Sequence, residues 1–140
     1  MRSSESLKII VIDDEECIRD TLRWYLEDRG HKVFTAPEPL ACDIYQGHSC
    51  CQETACANAL IIDYRMPRIT GLEFIELLKE RGCKGMLSNI LIITGNTGDV
   101  NREKVSELNC NLLQKPVSYA ELDQWIDGVA ASYQQSVESK

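Results

Sequence analysis

No stretch of this sequence approaches the roughly 20 consecutive apolar residues that a membrane-spanning helix needs, so no membrane contact is expected. The opening residues, Met1 to Lys8, lack the apolar core of a secretory signal, which predicts a cytoplasmic chain. Basic residues are in the minority, 15 against 22 acidic, for a formal charge of −7. A nucleic-acid interface has a basic face, so no direct contact with nucleic acid is expected. The seven cysteines are odd in number and too sparse for a disulfide scaffold, and in a reducing compartment they read as thiols. There is no internal repeat, no low-complexity linker and no sign of a second domain.

What is present is ordinary globular material. Hydrophobic residues make up 44% and charged residues 26% of the 140 positions. A chain of that length buries a core without staples. One folded unit is expected over residues 7–133, with an N-terminal extension at 1–6 and a fraying polar tail at 134–140.

Strand and helix patterns alternate along that unit. Lys8 to Ile12 is a β-branched run that reads as a strand buried on both faces, and it ends in Asp13 and Asp14. Ile18, Leu22, Tyr25 and Leu26 recur at helical spacing until Gly30, which leaves Trp24 off the stripe. A short strand over Lys32 to Thr35 precedes a weak helix around Leu40 to Tyr45. The third strand is Ala59 to Ile62, and a helix from about Leu72 to Arg81 carries Phe74, Ile75 and Leu78 on one face, with Gly82 after it. Ile90 to Thr94 is the fourth strand, a polar helix follows near Asp99 to Leu108, and Leu112 and Leu113 begin the fifth strand. The last helix opens with a capping box, Ser118 and Glu121, and buries Leu122, Trp125, Ile126 and Val129. Strands alternating with helices predict an α/β fold whose five-stranded parallel sheet is covered on both faces.

Ligands of such sheets bind beyond the carboxyl ends of the strands. Asp13 and Asp14 close the first strand, Asp63 the third, Thr94 the fourth and Lys115 the fifth. Taken singly, each has a plain explanation. Asp63 closes a turn, Asp13 and Asp14 cap a helix, and Lys115 is a surface lysine. Taken together, three carboxylates in one crevice repel one another unless a cation joins them, and Mg²⁺ suits an all-oxygen site that keeps water and phosphate ligands, with Mn²⁺ as a substitute. A carboxylate, a divalent ion, a hydroxyl and an ammonium are what phosphoryl transfer onto an aspartate requires.

With Met66, Pro67 and Gly71 after Asp63, Gly95 after Thr94 and Pro116 after Lys115, the pattern resembles the receiver domain of response regulators in bacterial two-component signalling, here of the single-domain type. The resemblance spans about residues 7 to 133. It implies a doubly wound, flavodoxin-like sheet in the order 2-1-3-4-5. It also implies that Asp63 accepts a phosphoryl group from a histidine kinase or a histidine phosphotransfer protein, or passes it to another histidine in a relay. By the same resemblance Asp14 and Asp63 bind Mg²⁺ through their side chains, Arg65 through its backbone carbonyl and Asp13 through water. Thr94 and Lys115 meet the phosphoryl oxygens, and Arg65 and Asn96 flank the path of attacking water. Lys115 and Pro116 are usually joined by a cis bond in such domains. Met66, Pro67 and Gly71 shape the loop presenting Asp63, with Gly71 expected to adopt a backbone conformation other residues resist. Such a chain catalyses only its own phosphorylation and dephosphorylation, and changes its grip on a downstream effector through a face over Asn101 to Leu108, Leu112 and Ser118 to Trp125. A receiver piece of a larger regulator or hybrid kinase fits the same motifs.

Two features depart from the usual pattern. Leu112 stands where receivers carry an aromatic, three residues before the lysine. The segment Gln46 to Asn58 is longer than usual and holds His48, Cys50, Cys51 and Cys56, whose spacing fits no standard zinc pattern, so it reads as an extended surface loop, with metal or redox sensing as the lesser alternative. An aspartate-nucleophile phosphatase would want a second acid two residues after its nucleophile, and an FMN binder would want a phosphate-cradling loop instead of Asp13, Asp14, Glu15 and Glu16. Two residues after Asp63 stands Arg65 instead of an acid, and no such loop follows the first strand.

Overall fold

In the computed structural model of the chain, the described residues are 7–37, 59–66, 69–80, 89–96, 98, 100–108, 110–115 and 117–138, with the side chains of 78 and 132–138 left aside. The elements run β1 (Lys8–Ile12), α1 (Glu16–Asp28), β2 (Lys32–Ala36), β3 (Ala59–Asp63), α2 (Gly71–Glu80), β4 (Ile90–Thr94), α3 (Arg102–Glu107), β5 (Asn111–Gln114) and α4 (Tyr119–Glu138). The strands form one sheet in the order β2-β1-β3-β4-β5, and every pair is parallel. The parallel sheet is what the alternating pattern predicts, and its order is the doubly wound one that the resemblance implies.

The core follows from the two-residue period of a strand. All five residues of β3 and all five of β4 are buried, as expected of central strands covered on both faces. Leu60 and Ile62 of β3 join Ile90 and Ile92 of β4 against Phe74 and Ile75 of α2 and Val105 of α3. Ile61, Leu91 and Ile93 point to the other face and pack with Leu22 and Leu26 of α1 and Leu122 and Ile126 of α4. Burying one such side chain contributes roughly 1.5–3 kcal/mol, so this double core, not the polar edge, supplies the stability. Trp24, off the α1 stripe, is 60% exposed.

Helix boundaries have local causes. Gly30, at φ 94°, ends α1 and donates its N–H to the Glu27 carbonyl at 2.9 Å. The helix expected from Asp99 is shorter and begins at Arg102, because Asn101 caps it by accepting the Lys104 N–H at 3.1 Å. Ser118 Oγ accepts from the N–H groups of Ala120 at 3.1 Å and Glu121 at 3.4 Å, which starts α4. That helix then continues to Glu138, through positions where the polar composition predicts a fraying tail. The expected helix around Leu40 to Tyr45, the cysteine-bearing segment 46–58, Pro67, Gly82 and Pro116 lie outside the described residues. Among the described residues, no helix is long and apolar enough to cross a membrane.

Candidate functional site

Strand register brings the polar residues to one edge. Ile12 pairs with Ile62, so Asp13 and Asp63 follow at the same level of adjacent strands. Asp63 lies opposite Ile93, and Thr94 lies opposite Gln114, one residue before Lys115. Backbone hydrogen bonds carry the alignment past the strand ends: Asp13 N–H to the Ala36 carbonyl at 3.1 Å, Tyr64 N–H to Ile93 at 2.8 Å, and Lys115 N–H to Thr94 at 2.7 Å. Asp13, Asp63 and Thr94 are buried, and Asp14 is exposed.

Carboxylate oxygens of Asp13, Asp14 and Asp63 all lie within 4.8 Å of one another. One ammonium faces them: Lys115 Nζ is 2.8 Å from Glu15, 3.2 Å from Asp13 and 3.3 Å from Asp63. Burial, reinforced by the charge of Asp13, pushes the Asp63 carboxyl up to about 6, against the pull of Lys115. Burial also raises Asp13, opposed by the Glu15 N–H and by Lys115. Burial works against the charge of Lys115, but the hydrogen bond to Glu15 and the charges of Asp13 and Asp63 outweigh it and hold the ammonium above its ordinary range. The crevice therefore holds more negative charge than its lysine neutralises. A hard divalent cation with oxygen ligands fits this donor set.

The first turn beyond β1 is tied down twice. Glu15 N–H donates to Asp13 Oδ1 at 2.8 Å, and Arg19 Nη1 donates to the Asp13 carbonyl at 2.7 Å. Beyond β3, Gly71 N–H donates to the Tyr64 carbonyl at 2.8 Å. The expectation that Gly71 holds an unusual backbone conformation is not met: Gly30 is the only positive-φ glycine among the described residues. Gly71 is needed for space instead, because a Cβ there would sit 2.8 Å from the Asp63 carbonyl oxygen. A full capping box fixes α2 just before it. Thr70 N–H donates to Glu73 Oε1 at 2.9 Å, and Glu73 N–H donates to Thr70 Oγ1 at 3.1 Å.

Thr94 stands at its predicted strand end, but its hydroxyl is engaged by its own loop. It accepts the Asn96 N–H at 3.2 Å and donates to the Asn96 carbonyl at 3.4 Å. Arg65 is exposed on the loop after Asp63. Leu112, half-buried, packs on the α2–α3 side of the sheet and lines a groove of about 320 Å³ with Arg102, Val105, Ser106 and Cys110. The sequence reading missed Glu15 and Arg19. Arg19 had a signal, since it follows Glu15 by one helical turn at the mouth of the pocket; the partner of Glu15, 100 residues away, had none.

A parallel sheet in this order, with a triad of acids and a lysine at its carboxyl edge, defines a doubly wound domain built to hold charge at that edge. The model of the response regulator receiver domain matches residues 9–127, and the chain belongs to that family. It is 34% identical over 139 residues to the transcriptional regulatory protein FixJ of Azorhizobium caulinodans, covering 96% of this chain and 58% of that protein. It is 31% identical over 121 residues to the response regulator MprA of Mycobacterium tuberculosis, covering 84% of this chain and 47% of that one. The chain thus spans about half the length of the curated relatives it matches. Its fold is shared with a receiver domain from Methylobacillus flagellatus (TM-score 0.73, 18% identity, 89% of this chain and 99% of that one). A receiver domain from Clostridium thermocellum is also similar (TM-score 0.68, 26% identity, 91% and 97% covered).

Proposed function

We propose that Asp63 is the phosphoacceptor of this receiver domain, loaded by a histidine kinase or a histidine phosphotransfer protein. What supports the reading is the convergence of Asp13, Asp14, Asp63 and Lys115 in one crevice from three separate strand ends. Even with its carboxyl raised to about 6, Asp63 is ionised at neutral pH and available as a nucleophile. Its oxygen attacks the phosphorus of a phosphohistidine as the P–N bond breaks, and that electron pair stays on the imidazole. The product is an acyl phosphate on Asp63.

Asp13, Asp14, Asp63 and the backbone carbonyl of Arg65 would hold Mg²⁺, which supplies positive charge against the acids and the phosphoryl oxygens. Lys115 turns its ammonium to a phosphoryl oxygen. The Thr94 hydroxyl exchanges its bonds to Asn96 for another, and this rearranges the loop between β4 and α3. The chain works in the cytoplasm and transforms no external substrate. The change at Thr94 reaches a downstream effector through the α3–β5–α4 face, where Leu112 responds by a change of rotamer without the bulk of an aromatic ring.

Incubation with acetyl phosphate and Mg²⁺ is expected to add one phosphoryl group by intact-protein mass spectrometry, and Asp63→Asn is expected to prevent it. Labelling that survives the substitution refutes the assignment.

A further inference from the structure

Lys115 has three carboxylate neighbours, but only one contact is short. Charge-assisted N–H···O bonds run at roughly 2.7–2.9 Å. The 2.8 Å bond to Glu15 falls in that range, while Asp13 at 3.2 Å and Asp63 at 3.3 Å are looser ion pairs. The helix position of Glu15 does not compete for its carboxylate. Glu15 occupies the N-cap of α1, where short polar side chains accept a hydrogen bond from the first turn, yet its own side chain makes no such bond. Glu15 is 61% exposed, whereas the Asp13 and Asp63 side chains are 0% and 6% exposed. The shortest contact of the ammonium is thus with the exposed acid at the solvent side, while its contacts with the two buried acids stay longer.

We propose that Glu15 is a positioning residue that holds Lys115 at the outer end of its range, so that the lysine does not close on Asp63 before a phosphoryl group arrives. This rests on Asp63 as the phosphoacceptor. A closed Lys115–Asp63 pair would neutralise the attacking oxygen and fill the space that phosphoryl oxygens and a cation must occupy. With Glu15 in place, Lys115 exchanges one exposed carboxylate for the incoming phosphoryl group and leaves Asp63 reactive. Without it, the two buried acids are the partners that remain.

The test combines two readouts on the intact chain. In metal-free protein, Glu15→Gln is expected to shift the NMR resonance of the Lys115 ammonium; an unmoved resonance overturns the proposal. With acetyl phosphate and Mg²⁺, the same substitution is expected to slow the initial labelling of Asp63 roughly fivefold, and to have less than about a twofold effect in a Lys115→Met background. An unchanged or faster rate in Glu15→Gln, or an equal slowing when Lys115 is absent, overturns it. If the wild-type chain takes no phosphoryl group at all, the functional reading fails, while the ammonium resonance still decides whether Glu15 holds the lysine.

Discussion

Two clusters of opposite charges tie distant parts of this chain together, and they are balanced differently. At the seam between α1 and α4, Arg29 Nη2 meets Asp123 at 2.9 Å, and the Tyr25 hydroxyl donates to the same carboxylate at 2.8 Å. Tyr25 stacks on Tyr119 with ring centroids 4.0 Å apart, and the Arg29 guanidinium lies 4.8 Å from the Tyr25 ring. Arg29 answers Asp123 with a shared hydroxyl between them, and the charge of Asp127 also acts on Arg29. At the carboxyl edge of the sheet, Asp13, Asp63 and Glu15 contact Lys115, and Asp14 lies beside the first two as a fourth acid. A balanced cluster is a fastening, whereas an unbalanced one keeps its place only because the core around it is strong, and it favours whatever brings positive charge.

The contrast can be broken from either side. The largest effect is expected at Asp63. In metal-free protein at pH 7, Asp63→Asn should raise unfolding free energy by about 2–3 kcal/mol, since the amide keeps the shape and removes the buried charge. Urea denaturation measures this. Gly71→Ala should lower stability by about 2 kcal/mol and slow labelling by acetyl phosphate, because its methyl group must push back the backbone that presents Asp63. At the seam the sign reverses: Asp123→Asn should lower stability by stripping Arg29 of its counter-charge, by less than the changes at Asp63 and Gly71, and Mg²⁺ should not restore the loss. The smallest effect is that of the ion itself. Mg²⁺ at ten times its dissociation constant should add about 1.4 kcal/mol to the wild type and much less to Asp63→Asn, read by thermal melting.

The sequence made the middle of the molecule legible. β1, β3 and β4 are continuous runs of β-branched and aliphatic residues, and the polar residues that end them mark the carboxyl edge. Contacts made only by folding were out of reach. Gly71 was legible as a special position but not for its reason, because the close approach of Asp63 depends on where α2 starts. The Thr70–Glu73 box follows the same pattern as Ser118–Glu121, yet a glycine inside it made Thr70 and Gly71 look like loop. Glu15 read as one more acid in a row of four, and its bond to Lys115 appears only when the ends of β1 and β5 are brought to the same edge. Likewise α4 runs through a polar stretch whose composition alone predicts fraying.

An acid whose carboxyl is raised from 3.8 to about 6 favours the folded state while it is protonated; that contribution is whole below pH 3.8 and lost as the pH passes about 6. The most direct measurement is therefore the stability difference between Asp63→Asn and the wild type, both metal-free, across this range. Any part played by the buried His31, whose Nδ1 accepts the Leu7 N–H at 3.2 Å, is common to both proteins and cancels. The difference should be near zero at pH 3, open to about 2–3 kcal/mol by pH 7, and shrink when Mg²⁺ is added. A difference that stays flat with pH and ignores Mg²⁺ would contradict an acid pocket poised for a cation and a phosphoryl group.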